Sequence, residues 1–125
     1  MLKQILLVGL GGGIGSILRY LTSFLTQKYN PAPFPLATFM ANILGCFLIG
    51  LLTGYLGQNI QANQNLKLLF ITGFCGGYTT FSAFALENVA LFQNNNPWMA
   101  IGYTTASIIL GMLVVWLGMA ITKQF

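Results

Sequence analysis

Long apolar stretches separated by short polar segments run through the chain and predict helices that cross a membrane. Apolar residues dominate four stretches, at roughly residues 2–26, 36–56, 66–92 and 98–121. A membrane-spanning helix needs about 20 predominantly apolar residues, so each stretch is long enough to cross a bilayer once. The pattern therefore predicts an all-α membrane protein, with residues 1–125 forming a single four-helix transmembrane unit.

The predicted connections between these stretches are short and carry polar or helix-breaking residues. The first connection, residues 30–35, contains three prolines, which cannot continue a helix. The second is the polar segment 57–65, and the third is the asparagine run 94–96. Pro97 then opens the fourth stretch, and proline is well placed in the first turn of a helix.

The centre of the third stretch differs from the other three, because a simple membrane-spanning helix would not contain it. Residues 73–84 read Gly-Phe-Cys-Gly-Gly-Tyr-Thr-Thr-Phe-Ser-Ala-Phe. Adjacent glycines weaken a helix through backbone entropy, and the hydroxyls that follow cannot hydrogen-bond to lipid. We expect the helix to break within residues 76–80. The stretch is either a glycine-kinked helix packed on a neighbour or a broken helix whose freed carbonyls contribute to an ion site.

Composition agrees with a membrane protein and excludes several other classes. Hydrophobic residues make up 56% of the chain and charged residues 5%, whereas a soluble domain carries roughly 25% charged residues. The net charge of +4 comes from too few, too dispersed side chains to form a nucleic-acid surface. The chain has no histidine, which excludes catalysis by histidine and metal binding by histidine. We predict that it is not an enzyme. Four helices form a thin bundle, so we expect oligomerisation.

Glycine spacing in the first stretch predicts close helix packing. Gly9 with Gly13, and Gly11 with Gly15, form pairs that let helices approach closely in lipid. They do not match a nucleotide-binding loop, because neither the Lys-Ser/Thr sequence nor the glycine spacing of such loops is present. Arg19 follows in the same stretch, and a charge within a span is costly. We therefore expect Arg19 at the membrane interface, where it would also attract anions to an entrance.

A few polar and aromatic side chains within the stretches form a candidate anion path. The carboxamide of Asn42 offers two N–H donors without a charge, and it would bond either across helices or to a dehydrated anion. Phe81 and Phe84 share a helix face, where they either pack hydrophobically or present positive ring edges to an anion. Tyr103 and Ser107 place two hydroxyls one turn apart in the fourth stretch. Weak, repeated donors of this kind suit permeation, because the ion is not trapped.

A cation path fits these residues less well. Cation pores are lined by acidic rings, whereas Glu87 is the single carboxylate side chain of the chain. We interpret Glu87 as a structural polar contact, with a gating role as the alternative. A small multidrug exporter would need a carboxylate in its first span, where this chain has Arg19 instead. A non-transporting membrane scaffold would explain the glycine pairs but not the hydroxyl, phenylalanine and asparagine side chains.

Lysines leave the orientation in the membrane open. Lys3, Lys67 and Lys123 fall on one predicted side and Lys28 on the other. Positive charge favours the cytoplasmic side, but this bias is weak. Either the protein inserts in one orientation, or both orientations occur and permit an antiparallel dimer.

Three segments resemble the small bacterial fluoride channels of the Fluc or CrcB family. They are residues 73–84, the segment Gly-Gly-Gly-Ile-Gly-Ser at 11–16 with the Arg-Tyr that follows, and Thr-Phe-Met-Ala-Asn-Ile-Leu-Gly at 38–45. The resemblance covers essentially the whole chain. It implies a fluoride-selective channel that exports fluoride passively across the bacterial plasma (inner) membrane and so reduces its toxicity. It also implies an antiparallel, dual-topology homodimer with two pores and a structural sodium ion at the dimer axis.

The resemblance further implies roles for individual residues. Five would line the fluoride path: Asn42, Phe81, Ser82, Phe84 and Tyr103. Backbone carbonyls of Gly76 and Thr79, from both subunits, would hold the sodium ion. Arg19 corresponds to the arginine of the family's first span. Ala83 is a departure, since many relatives carry a hydroxyl residue there, but both phenylalanine positions are intact.

Overall fold

Five helical segments make up the part of the chain that the structure, a computed structural model, describes, namely residues 1–57 and 64–123. In chain order they are α1 (Leu2–Tyr29), α2 (Leu36–Leu56), α3 (residues 64–78), α4 (Phe81–Gln93) and α5 (Pro97–Thr122). Segments α3 and α4 form one apolar span, Gln64–Gln93, so four helices are long and apolar enough to cross a membrane. The predicted all-α fold with a broken third span is confirmed. Most of the expected connection 57–65 lies outside the described residues.

Helix α3 is not a regular α-helix. It begins with the α-helical turn Gln64–Leu66, continues as nine π-helical residues, Lys67–Cys75, and ends with the α-helical turn Gly76–Tyr78. In a π-helix, each N–H donates to the carbonyl five residues earlier. Such segments are rare in proteins, and those that occur are often found at functional sites. The hydropathy of this stretch contains no signal that separates π from α, so the sequence did not predict it.

Glycines bring α1 and α3 into backbone contact. A side chain at Gly11 or Gly15 would collide with backbone carbonyls on successive turns of α3, so the two helices run in parallel. This confirms one of the two predicted close-packing pairs. The other pair, Gly9 and Gly13, has no atom within 4 Å of either Cβ position among the described residues, and it forms no helix contact within the subunit.

A second parallel pair, α2 with α5, is built in the same way. A side chain at Gly50 would collide with the carbonyl of Val115, and one at Gly54 with the hydroxyl of Thr122. Helix α4 then folds back against α5, where Leu91, Ala100 and Tyr103 form a small buried cluster that Phe84 also contacts. Two parallel helix pairs therefore hold the interruption between α3 and α4 near the middle of the bundle.

Candidate functional site

Thr79 and Thr80 interrupt the third span between α3 and α4. Both have extended backbones, with φ −85° and ψ 156° at Thr79 and φ −150° and ψ 118° at Thr80. Gly76 and Gly77 remain helical, so the break is narrower than the predicted 76–80 and lies on the threonines. Branching at Cβ favours extended backbone, which explains why the threonines, rather than the more flexible glycines, leave the helix.

Two carbonyls at this break lose the donors that a continuous helix would supply. The N–H of Thr80, which would donate to the Gly76 carbonyl, donates instead to Asn42 Oδ1 at 2.8 Å. The N–H of Ala83, which would donate to the Thr79 carbonyl, donates to Thr80 Oγ1 at 3.3 Å and so caps α4. The carbonyls of Gly76 and Thr79 are therefore free of their helical partners.

Asn42 holds the break from α2 through both ends of its carboxamide. Besides accepting from the Thr80 N–H, it donates from Nδ2 to the Thr80 carbonyl at 3.1 Å. A carboxamide nitrogen carries two hydrogens, and the second has no acceptor among the described residues. Asn42 therefore fixes the backbone of the break and keeps one uncharged donor available.

Arg19 contacts the other side of the same break. Its Nε donates to the carbonyl of Gly77 at 3.1 Å, and Ser16 Oγ donates to that same oxygen at 3.4 Å. The guanidinium thus binds backbone next to the break, a contact that the sequence did not reveal. The predicted role of Arg19 at an anion entrance stays a prediction.

An open groove, here called the break groove, runs along the break on the side away from α1. It has a volume of about 360 Å³ and is lined by α2, α3, α4, α5 and the break itself. Five of the eight predicted site residues line it: Asn42, Gly76, Thr79, Phe81 and Phe84. Its other lining residues are Gly45, Cys46, Ile49, Cys75, Thr80, Ser107 and Ile108. None of these twelve residues carries a charged side chain.

Phe81 and Phe84 form one wall of the break groove. Their ring centroids lie 5.8 Å apart with a tilt of 40°. Phe81 is 79% exposed within the subunit. Ser82 is exposed as well and lies 3.2 Å from Thr80 Oγ1 through its hydroxyl, but it does not line the groove.

Tyr103 lies behind this wall rather than in the groove. It is 1% exposed, and its ring centroid is 5.0 Å from that of Phe84. Its hydroxyl donates to Glu87 Oε2 at 2.9 Å, and Thr38 Oγ1 donates to Glu87 Oε1 at 2.6 Å. These two bonds confirm the structural polar contact predicted for Glu87, while a gating role stays a prediction.

Ser107 also lines the groove and carries a buried hydroxyl. Its Oγ is buried and has no partner among the described residues. The sequence placed it in the hydroxyl track of the fourth span, but did not identify it as a site residue. The threonine at position 80 was also missed, because its role depends on the partner that α2 brings to it.

Comparison with known proteins gives a consistent result over the length of the chain. The profile of the family described as "CrcB-like protein, Camphor Resistance (CrcB)" matches residues 6–119. A protein of Flavobacterium psychrophilum named "Fluoride-specific ion channel FluC" is 49% identical, covering 98% of this chain and 99% of its own length. A protein of the same name from Azobacteroides pseudotrichonymphae is 49% identical over 100% of both chains. Another, from Gloeothece citriformis, is 46% identical over 97% of this chain and 98% of its own.

These relatives are named as ion channels and not as enzymes. The match covers all three segments on which the resemblance to the Fluc or CrcB family was based, and it confirms that resemblance. This chain belongs to the CrcB-like protein family.

Proposed function

We propose that this chain is a subunit of a fluoride-selective channel, which lets fluoride leave the cell passively across the bacterial plasma membrane and so lowers its toxicity. The names of the relatives support fluoride as the ion, and the four apolar helices support a multi-pass membrane protein. The observation that carries the proposal is the break groove, which combines uncharged hydrogen-bond donors with two phenylalanine rings and lacks charged lining residues.

The groove offers a small anion several weak contacts in place of one strong site. Among the described residues, Asn42 has a spare N–H and Ser107 a buried hydroxyl without a partner, while Phe81 and Phe84 have positive ring edges. An ion that leaves water must find such donors, but it must also leave them again for conduction to continue. Uncharged groups meet both requirements, and a lysine or arginine in the same place would hold the anion too firmly.

The freed carbonyls at the break support a second copy of the chain as the partner that completes the site. Backbone groups that have lost their hydrogen bonds are tolerated at membrane depth only when protein or a water-filled cavity covers them. The freed carbonyls of Gly76 and Thr79 line an open groove, and Gly76 itself is exposed. We therefore propose a homodimer that joins through the break grooves. Two-fold symmetry would give it two equivalent fluoride paths.

The dimer we propose is antiparallel, with its subunits inserted in opposite orientations. The weak lysine bias, Lys3, Lys67 and Lys123 against Lys28, supports insertion both ways. A single cysteine is introduced at one terminus for labelling from one side of sealed vesicles. The label should modify it on about half of the subunits, because each antiparallel dimer places one copy of that terminus on each side. Labelling of all subunits or of none would contradict dual topology.

A sodium ion at the dimer axis fits the donor set at the break. Freed carbonyls of broken helices bind sodium in membrane transporters, and Gly76 and Thr79 of two subunits would supply four such oxygens. No atom of residues 1–57 or 64–123 lies within 4 Å of the position that a Cβ would take at Gly76, so the backbone is open to an ion there. When bound, the ion would balance the negative ends of these carbonyls. The dimer should be more heat-stable in sodium than in N-methylglucamine, and equal stability would contradict the site.

Fluoride efflux from liposomes tests the function directly. Purified protein should release fluoride, measured with a fluoride electrode, far faster than it releases chloride. Phe81→Ile and Phe84→Ile should slow fluoride efflux by roughly tenfold while the protein stays folded, because isoleucine has no positive ring edge. Phe92→Ile is the matched control, since Phe92 lies on the same helix, is 54% exposed and does not line the groove. Equal fluoride and chloride rates would remove the selectivity claim.

A further inference from the structure

A second groove lies between α1, α2 and α3, here called the α1–α2 groove. Its volume is about 440 Å³, and its lining consists of leucine and phenylalanine side chains with two hydroxyl residues, Thr22 and Tyr78. It shares no lining residue with the break groove. Phe74 and Tyr78 of α3 also line it, and Tyr78 directly precedes the break.

The two grooves use opposite faces of α2. Successive residues of a helix are rotated by about 100°. Leu44, Phe47 and Leu48 line the α1–α2 groove, whereas Asn42, Cys46 and Ile49 line the break groove. The centres of these two sets lie on opposite sides of the helix. A second copy that covers the break groove would therefore approach α2 from the side opposite the α1–α2 groove.

The hydroxyls in the α1–α2 groove are satisfied within the protein. Thr22 Oγ1 donates its single hydrogen to the Leu18 carbonyl at 2.9 Å. The 3.1 Å contact between Thr22 Oγ1 and Tyr78 Oη must then use the hydrogen of Tyr78. Both hydroxyl hydrogens are committed, so none of the nine described lining residues offers a side-chain donor to water or to an ion. Its chemistry matches a hydrocarbon chain.

A positive charge lies where this groove approaches the end of α1. Helical spacing continues the face of Leu25 to Tyr29, four residues later. The ammonium of Lys28 lies 5.3 Å from the centroid of the Tyr29 ring, a cation–π contact that directs it toward that face. Both residues are exposed. Tyrosine favours the headgroup region of a bilayer, and lysine there attracts anionic lipids.

We propose that the α1–α2 groove binds an acyl chain of an anionic phospholipid whose headgroup lies against Lys28. The proposal depends on the proposed function only because a second copy covers the other face of α2. The bound chain packs against Phe74 and Tyr78 and so supports the end of α3 from the side opposite the break groove. Lipid composition then affects the part of the chain that holds the freed carbonyls.

Fluorescence quenching by brominated lipids tests this site. The variant carries Leu48→Trp together with Trp98→Phe and Trp116→Phe, so that the introduced tryptophan reports from the groove. It is reconstituted in mixtures of phosphatidylglycerol and phosphatidylcholine in which one lipid or the other carries bromine on its acyl chains. One lysine near the surface favours an anionic lipid about fivefold. We expect that preference for phosphatidylglycerol, and its loss in Lys28→Gln.

Trp116 serves as the internal control. It is 66% exposed on α5 and lies outside the groove. In the Trp98→Phe variant, Trp116 is the remaining tryptophan, and both brominated lipids should quench its fluorescence without preference. Leu44→Trp repeats the test if Leu48→Trp does not fold. A tryptophan that neither lipid quenches would show that protein covers the groove, and equal quenching by both lipids would show ordinary boundary lipid. Either result overturns the proposal, and neither depends on whether fluoride moves.

Discussion

On the two sides of the helix break, backbone groups meet very different surroundings. Toward α1, the Gly77 carbonyl accepts bonds from Arg19 and Ser16, and a side chain at Gly77 would collide with the backbone of Gly12. Toward the break groove, the carbonyl of Gly76 has lost its helical donor, and no atom in the described part of the chain lies within 4 Å of its Cβ position. Adjacent glycines thus serve opposite purposes, since one closes an interface and the other leaves backbone open for a ligand or a second subunit.

Alanine substitutions at the two glycines should separate these purposes and give the largest difference. Gly77→Ala forces a methyl group into backbone that cannot move aside, and overpacking of this kind costs up to about 3 kcal/mol. The methyl group of Gly76→Ala meets no atom of the subunit's described residues and gains about 1 kcal/mol in helix propensity, but it would enter the proposed dimer interface. Thermal unfolding in detergent should show a destabilised subunit for Gly77→Ala. Size-exclusion chromatography should show a folded subunit with a weakened dimer for Gly76→Ala.

If Gly77→Ala unfolded at the same temperature as the wild-type protein, close packing on the α1 side would be contradicted. A stable dimer of Gly76→Ala would contradict an interface on the groove side. The two results are independent, so each half of the comparison stands or fails separately.

Removal of Asn42 should have the next largest effect, because its carboxamide is hydrogen-bonded to both backbone groups of Thr80 on the groove side. Asn42→Ala leaves an N–H and a carbonyl unpaired, and unsatisfied buried groups cost about 1–3 kcal/mol. We expect a loss of about 2 kcal/mol, read from the thermal midpoint, together with loss of fluoride efflux.

Asn88→Ala is the matched control for that substitution. Asn88 also makes two hydrogen bonds, to the Phe84 carbonyl and from Thr104, but neither holds the break. It should lower stability to a similar degree while efflux continues. Equal loss of efflux in both variants would mean that general destabilisation, and not the geometry of the break, stops transport.

Ser107→Ala should have the smallest effect on stability. Its buried hydroxyl has no partner among the described residues, so its removal relieves a desolvation cost, and we expect stability to rise by about 1 kcal/mol or less. Fluoride efflux should nevertheless fall several-fold if this hydroxyl serves the ion. Thr105→Val, an exposed position on the same helix, should leave both quantities unchanged. Unchanged efflux in Ser107→Ala would remove Ser107 from the proposed path.

The helices of this protein were predictable because hydropathy reports burial in lipid, and burial in lipid requires helices. Close packing at Gly11 and Gly15 was predictable for a similarly local reason, as small residues one turn apart form a smooth helix face. The pair Gly9 and Gly13 has the same spacing and packs against nothing described. Spacing identifies a smooth face but does not say which neighbour lies against it.

The detail of the candidate site was less predictable because it depends on contacts between distant residues. Asn42 and Thr80 form hydrogen bonds because α2 and the break lie at the same level in the bundle. No local sequence pattern encodes that level. Arg19 was expected at the membrane interface, yet its bond to Gly77 depends on the parallel packing of α1 and α3. The break itself was placed near the correct position because glycine and threonine both disfavour helix, but their relative weights were decided by the fold.

The bond pair between Asn42 and Thr80 has a further consequence. Two residues facing each other across antiparallel strands exchange both N–H···O bonds, and here a side-chain amide takes the place of one strand. The centre of an all-helical bundle thus contains a single rung of β-ladder. The amide side chain supplies a donor and an acceptor in this fork, so an aspartate carboxylate would make only the accepting half of the rung and a leucine would make neither half.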